Sequence, residues 1–198
     1  AEERYEEAEM MIADNSFPYE IVRFNDTDTG RTYYMLRELL NLEYFDDNGF
    51  PNNPELHEVG SFDYGWGIYV IDPSSNVPII VNVVHPNDDF ISPPFAAEAF
   101  QMWNARFFMV SGVGREALWT NEPPYFNSKS LSDPSRNLDH AFNRGYQAVC
   151  DAIRERFNRR ELSVQIHSFD RTHMGLYPLQ VSSTGPEHTY TSLPSRDL

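Results

Sequence analysis

The densest concentration of chemically useful side chains is His85-Pro86-Asn87-Asp88-Asp89, an imidazole and two carboxylates in one short turn. It follows directly on Pro78-Ile79-Ile80-Val81-Asn82-Val83-Val84, the most apolar run in the chain. Neutral imidazole nitrogens and carboxylate oxygens are donors that zinc accepts, and a catalytic zinc keeps three protein ligands with a fourth position open. A histidine with an acid three residues later supplies two ligands from one turn. That spacing favours Asp88, and Asp89 takes its place if the turn at Pro86 is wider. The third candidate is His167 in Gln165-Ile166-His167-Ser168-Phe169-Asp170, again at the end of an apolar run. Ser168 and Asp170 could orient its ring by hydrogen bonding. One divalent ion, zinc, shared by His85, an aspartate and His167 is therefore expected. The plainer alternative is that Asp88 and Asp89 cap the helix that follows, while both histidines bond backbone.

Such a site needs elements that bring two distant strand ends together. Residues 78–84 read as a central strand buried on both faces, residues 106–110 as another buried strand, and residues 162–166 as a strand ending at His167. Between them, residues 95–103 and 138–159 carry helical patterns, the second strongly amphipathic. Upstream, a helix is expected over 3–13, a strand pair over 19–24 and 32–36 joined by the turn 25–30, and a strand within 60–72. Gly65 and Gly67 shape a bend around Trp66. Strands alternating with helices imply a three-layer α/β domain whose mainly parallel central sheet carries helices on both faces. Ligand sites of such sheets lie beyond the carboxyl ends of the strands, where His85 and His167 fall. One domain over 1–198 is expected: an N-terminal helix-and-strand appendage over 1–55, a core over 56–170, and a polar, turn-rich segment over 171–198. Trp66, Trp103, Trp119 and His140 are expected to serve packing.

Thirty acidic against fifteen basic residues give a net charge of −15. Nucleic acid and anionic membrane surfaces would be repelled, so neither is expected as a partner. No apolar stretch is long enough to cross a bilayer, so no membrane insertion is expected. The single cysteine, Cys150, sits in an amphipathic pattern and is expected to be a buried thiol. Compartment and oligomeric state have no signature here; the start at Ala1-Glu2-Glu3-Arg4 suits a cytoplasmic chain and a processed secreted one equally.

The histidine-to-acid turn after a buried strand, with a later strand ending in Ile166-His167-Ser168-Phe169, resembles the metallocarboxypeptidase-like fold, and particularly the N-formylglutamate amidohydrolase family. The resemblance spans about Pro78 to Asp170. It departs from the family in having aspartate where glutamate is the commoner ligand, and in lacking a clean Asp-Leu-Asn-Arg strand. The resemblance implies a zinc-dependent hydrolase cleaving an amide bond in a small acidic amino-acid derivative or peptide, with metal-activated water as nucleophile. It also implies arginines between the two histidine segments that hold a substrate carboxylate. Here those are Arg115 in Ser111-Gly112-Val113-Gly114-Arg115-Glu116 and Arg136, followed by Asn137, in Asp133-Pro134-Ser135-Arg136-Asn137. Guanidinium grips carboxylate through paired hydrogen bonds, although an ordinary ion pair with Glu116 or Asp133 accounts equally for either arginine. For the base that takes a proton from water, the candidates are Glu116, beside Arg115, and Glu187, because carboxypeptidase-like proteins supply theirs late in the chain. The alternative function is a binding or structural module that retains the fold without chemistry.

Overall fold

The computed structural model describes residues 2–39, 63–89, 91–115, 117–118, 131–168, 182–183 and 191–192. The chain divides into two compact units, Ala1–His167 and Ser168–Leu198. In the second, the described backbone consists of β7 (Ser182–Ser183) paired antiparallel with β8 (Thr191–Ser192), besides Ser168.

The first unit runs α1 (Glu2–Asp14), β1 (Tyr19–Asn25), β2 (Thr32–Glu38), β3 (Ile68–Ile71), β4 (Val77–Val83), α2 (Ser92–Met102), β5 (Ala105–Val110), α3 (Ala141–Phe157) and β6 (Leu162–Gln165). Its six strands form one sheet in the order β1-β2-β3-β5-β4-β6. The fold is therefore mixed α/β. The sheet is mixed where a mainly parallel one was expected: β1 to β2, β2 to β3 and β3 to β5 pair antiparallel, and only β5 to β4 and β4 to β6 pair parallel. The alternation of strand and helix that argues for parallel pairing is confined to β4 through β6. Parallel neighbours need a long crossover, whereas β1 and β2 are joined by a turn through Gly30 at φ 67°. Residues 19–38, expected within an N-terminal appendage, supply the first two strands of this same sheet.

The apolar run of β4 is explained by helices on opposite faces. Val81 and Val83 pack with Ala96 and Phe100 of α2, while Ile80 and Val84 pack with Phe142, Cys150 and Ile153 of α3. Successive side chains of a strand alternate between faces, so covering both requires apolar residues at nearly every position. The polar exception, Asn82, is fully buried, and its Nδ2 donates to Ser163 Oγ of β6 at 3.0 Å. From β4 the chain crosses through α2 to β5 on one side, then through α3 to β6 on the other. This reversal at β4 is the switch point at which open α/β sheets form a crevice.

Two local features start the helices. Prolines occupy the first positions of α2, where their missing N–H groups cost nothing. In α3, His140 is the N-cap, its Nδ1 accepting from the Phe142 N–H at 3.1 Å, and Asn158 closes the helix in the left-handed region.

Phe142 is 1% exposed between α3 and the sheet. Phe142→Ala is expected to cost about 3–5 kcal/mol, measured by urea unfolding. Cys150 is buried as expected from the sequence, and desolvation pushes its thiol up to about 11. In the folded protein at pH 8 it should resist a thiol reagent that labels it fully in denaturant; rapid labelling of native protein would show that this helix face opens.

Candidate metal centre

β4 and β6 are parallel neighbours with Asn82 opposite Gln165, so the residues leaving their carboxyl ends emerge side by side. His85 and His167 lie there with ring centroids 5.4 Å apart. The turn after β4 is closed by a hydrogen bond from the Asp89 N–H to the His85 carbonyl at 2.8 Å. That bond spans four residues like one helical turn, and positions i and i+4 share a face. It is therefore Asp89 that shares a face with His85. Asp89 Oδ2 lies 2.9 Å from His167 Nδ1 and 3.9 Å from His85 Nδ1. Among the described residues, His85, Asp89 and His167 form a group whose three ligand atoms lie within 4.8 Å of one another.

Asp88, which the three-residue spacing favours, turns elsewhere. Its Oδ2 accepts the Arg115 N–H at 3.1 Å, and its Oδ1 lies 3.3 Å from Arg115 Nε, a charge contact without an aligned hydrogen bond. Nor do the two carboxylates act as the cap of α2, whose N-cap is Ile91 with no side-chain hydrogen bond.

Each imidazole is also held from behind. His85 Nε2 is 2.9 Å from Asp133 Oδ1, with Ser135 Oγ at 3.2 Å, and Asp133 is itself buried. The Asp133 carboxylate is fixed in turn: its Oδ1 accepts the Ser135 N–H at 2.8 Å, and its Oδ2 lies 3.6 Å from Arg136 Nε. A proton on His85 Nε2, donated to Asp133, leaves the Nδ1 lone pair facing Asp89. That is how histidine ligands are oriented and made more basic in metal sites. His167 Nε2 lies 3.4 Å from Gln165 Oε1. Its side chain is 40% exposed, against 9% for those of His85 and Asp89, so the group opens to solvent on the His167 side.

The donor set suits zinc chemically: two imidazole nitrogens and one carboxylate oxygen, with solvent access for a further ligand. His167 Nδ1 and Asp89 Oδ2 stand within hydrogen-bond distance of each other, and a metal held by both takes the place of that contact.

The remaining candidates are dispersed. Arg115 is engaged by Asp88, while Arg136 keeps a 60% exposed side chain beside Asp133. Asn137 braces its own loop, donating to the Leu131 carbonyl at 2.9 Å and accepting the Asp139 N–H at 3.1 Å. Glu116, Glu187 and Asp170 lie outside the described residues. Asp133 is the residue that sequence reasoning missed as a partner of His85. Its signal was present: Asp-Pro favours a turn that points the aspartate back at its own backbone, and such a buried carboxylate needs partners.

No protein-family model, curated protein or solved structure matches this chain.

Zinc titration after EDTA treatment should load about one ion per chain and release protons as it binds. His85→Ala, Asp89→Ala and His167→Ala should each abolish stoichiometric loading, whereas Asp88→Asn should retain it. Unchanged loading in both histidine variants would remove this ligand set.

Proposed function

We propose that this protein is a zinc-dependent hydrolase that cleaves an amide bond in a small amino-acid derivative or peptide bearing a carboxylate. The observation that carries the proposal is the pair of imidazoles presenting Nδ1 to one Asp89 oxygen while their Nε2 atoms meet acceptors behind them. A merely structural histidine pair has no need of three donors converging at a solvent-accessible strand edge. The resemblance of residues 78–170 to N-formylglutamate amidohydrolases, and through them to the three-layer metallocarboxypeptidase-like fold, supports the same reading. So does the position of the donors at the switch point of the sheet.

When bound, zinc polarises a carbonyl and makes water nucleophilic near neutral pH. The chain's own residues would do the rest. Asp133 holds His85 in the tautomer that offers Nδ1, and Ser135 fixes Asp133. Arg136, exposed at the rim and anchored near Asp133, receives the substrate carboxylate. We assign the proton-carrying base to Glu116, the sequence neighbour of Arg115. A non-catalytic binding module is the second reading; the engagement of Arg115 by Asp88 favours it, because it removes one of the two cations expected to grip substrate.

The test is hydrolysis of a panel of N-formyl and N-acetyl amino acids, including N-formyl-L-glutamate, by zinc-loaded protein. Zinc-dependent amine release is expected. Asp133→Asn should lower activity or zinc affinity about 10–100-fold, and Arg136→Ala should raise KM more than it lowers kcat. Full zinc loading with no cleavage of any panel member would favour the binding module.

A further inference from the structure

A groove of about 510 Å³ lies between α1 and the half of the sheet formed by β1, β2 and β3, with no residue of β4 or β6 in its lining. We infer that this groove binds a medium-chain fatty acid, its carboxylate at the Arg4 and Tyr5 end and its chain along α1. The site is separate from the metal centre and does not depend on the hydrolase reading.

The groove is built from one stripe of a helix and one face of a sheet. Arg4, Tyr5, Ala8, Met11, Ile12 and Asn15 recur at helical spacing and form the α1 wall. Glu6, Glu7, Glu9 and Asp14 lie off that stripe, and none of them is in the lining. On the sheet side, Ile21 pairs with Leu36 and Tyr34 with Ile71, so these four apolar or aromatic side chains share one face. The Tyr5 ring stacks on Tyr34 with centroids 3.6 Å apart and braces the helix over the sheet. Apolar surface is nevertheless left open: Met11 is 67% exposed and Phe17, at the far end, 42%.

Length and volume limit the occupant. From Arg4 to Asn15 the helical wall is about 16 Å long, at about 1.5 Å per residue, which matches an extended dodecanoyl chain. The volume falls within the roughly 300–1,000 Å³ of small-molecule sites. A second copy of the chain suits the groove poorly, because it would bring two acidic α1 helices together.

Charge selects the head group. Arg4 carries the one formal charge among the described lining residues. Burial pushes the neighbouring Tyr5 phenol up, while Arg106 and Arg156 pull it the other way, so two further guanidinium groups act at this end. They also act on each other: burial, and after it Arg156, pushes Arg106 down. Among the described residues neither Arg4 nor Arg156 has a carboxylate partner, and Arg106 donates to the Asp72 and Ser75 carbonyls at 2.7 and 3.1 Å. The Asp72 carboxylate, which also acts on Tyr5, is engaged by Arg31 at 3.3 Å. In a chain of net charge −15, cations without carboxylates of their own mark a local positive field, and a ligand carboxylate meets it through charge-assisted hydrogen bonds.

Calorimetric titration with dodecanoate, octanoate and dodecyltrimethylammonium, each below its micellar concentration, tests the inference. Dodecanoate should bind at about one per chain, at least about tenfold more tightly than octanoate, which buries less chain, and than the cation, which meets the arginines. EDTA-treated and zinc-loaded protein should give the same affinity, separating this groove from carboxylate binding to a metal. The double substitution Arg4→Glu and Arg156→Glu, at two exposed positions, should weaken dodecanoate about tenfold or more. Ala8→Trp, which fills the groove from the helix, should weaken dodecanoate and the cation alike. Absence of saturable dodecanoate binding, equal or tighter binding of the cation, or dodecanoate affinity unchanged in both variants overturns the inference. So does a dimer in light scattering that Ala8→Trp dissociates, which would give the groove to a second copy.

Discussion

The parallel pairing of β4 with β6 is the constraint on which the candidate site rests. Two strands running in the same direction deliver their following residues to one edge, and the register of Asn82 against Gln165 brings His85 and His167 level. Antiparallel pairing would send the two histidines to opposite ends of the sheet. The pairing is costly to form, because the chain must make a long crossover between the strands. Burial of β4 between α2 and α3 supplies the compensation, and the Asn82–Ser163 hydrogen bond satisfies the amide nitrogen that this burial traps, while Asn82 Oδ1 stays buried without a partner among the described residues.

From that pairing the surrounding loops follow in layers. The turn after β4 closes through the His85 carbonyl, which fixes the Asp89 carboxylate against the histidines and frees Asp88 to hold the loop after β5. The loop before α3 then brings Asp133 behind His85, where a buried carboxylate and an imidazole satisfy each other. Neither group would be stable in that position alone, because each unpaired polar group would bear its full desolvation cost. The charge pattern is local as well: a chain of net charge −15 places Arg115 and Arg136 at this edge, each beside an aspartate.

The elements were largely legible in the sequence. Residues 78–84, 106–110 and 162–166 announce β4, β5 and β6 by apolar runs, and the long amphipathic pattern announces α3, because burial on a face leaves a periodic trace in residue type. The mixed character of the sheet was not legible, since strand direction depends on how β1, β2 and β3 are connected and paired, and periodicity carries no sign of direction. The identity of the ligating aspartate was also hidden. Counting residues selects Asp88, whereas the turn's own hydrogen bond selects Asp89.

By itself, then, the sequence determined which residue types stand at the ends of the buried strands: two histidines, an Asp-Asp pair and two loop arginines, in an acidic chain. Local chemistry and apolar periodicity are properties of neighbouring residues, and these survive in a linear reading. Only the tertiary structure decided that Asp133 stands behind His85, that Arg115 is engaged by Asp88, and that glycines at 65 and 112 let the loop of Tyr64 and Trp66 approach the loop after β5. Those contacts join residues far apart in the chain, and their geometry is set by sheet order and loop packing, which no local pattern encodes.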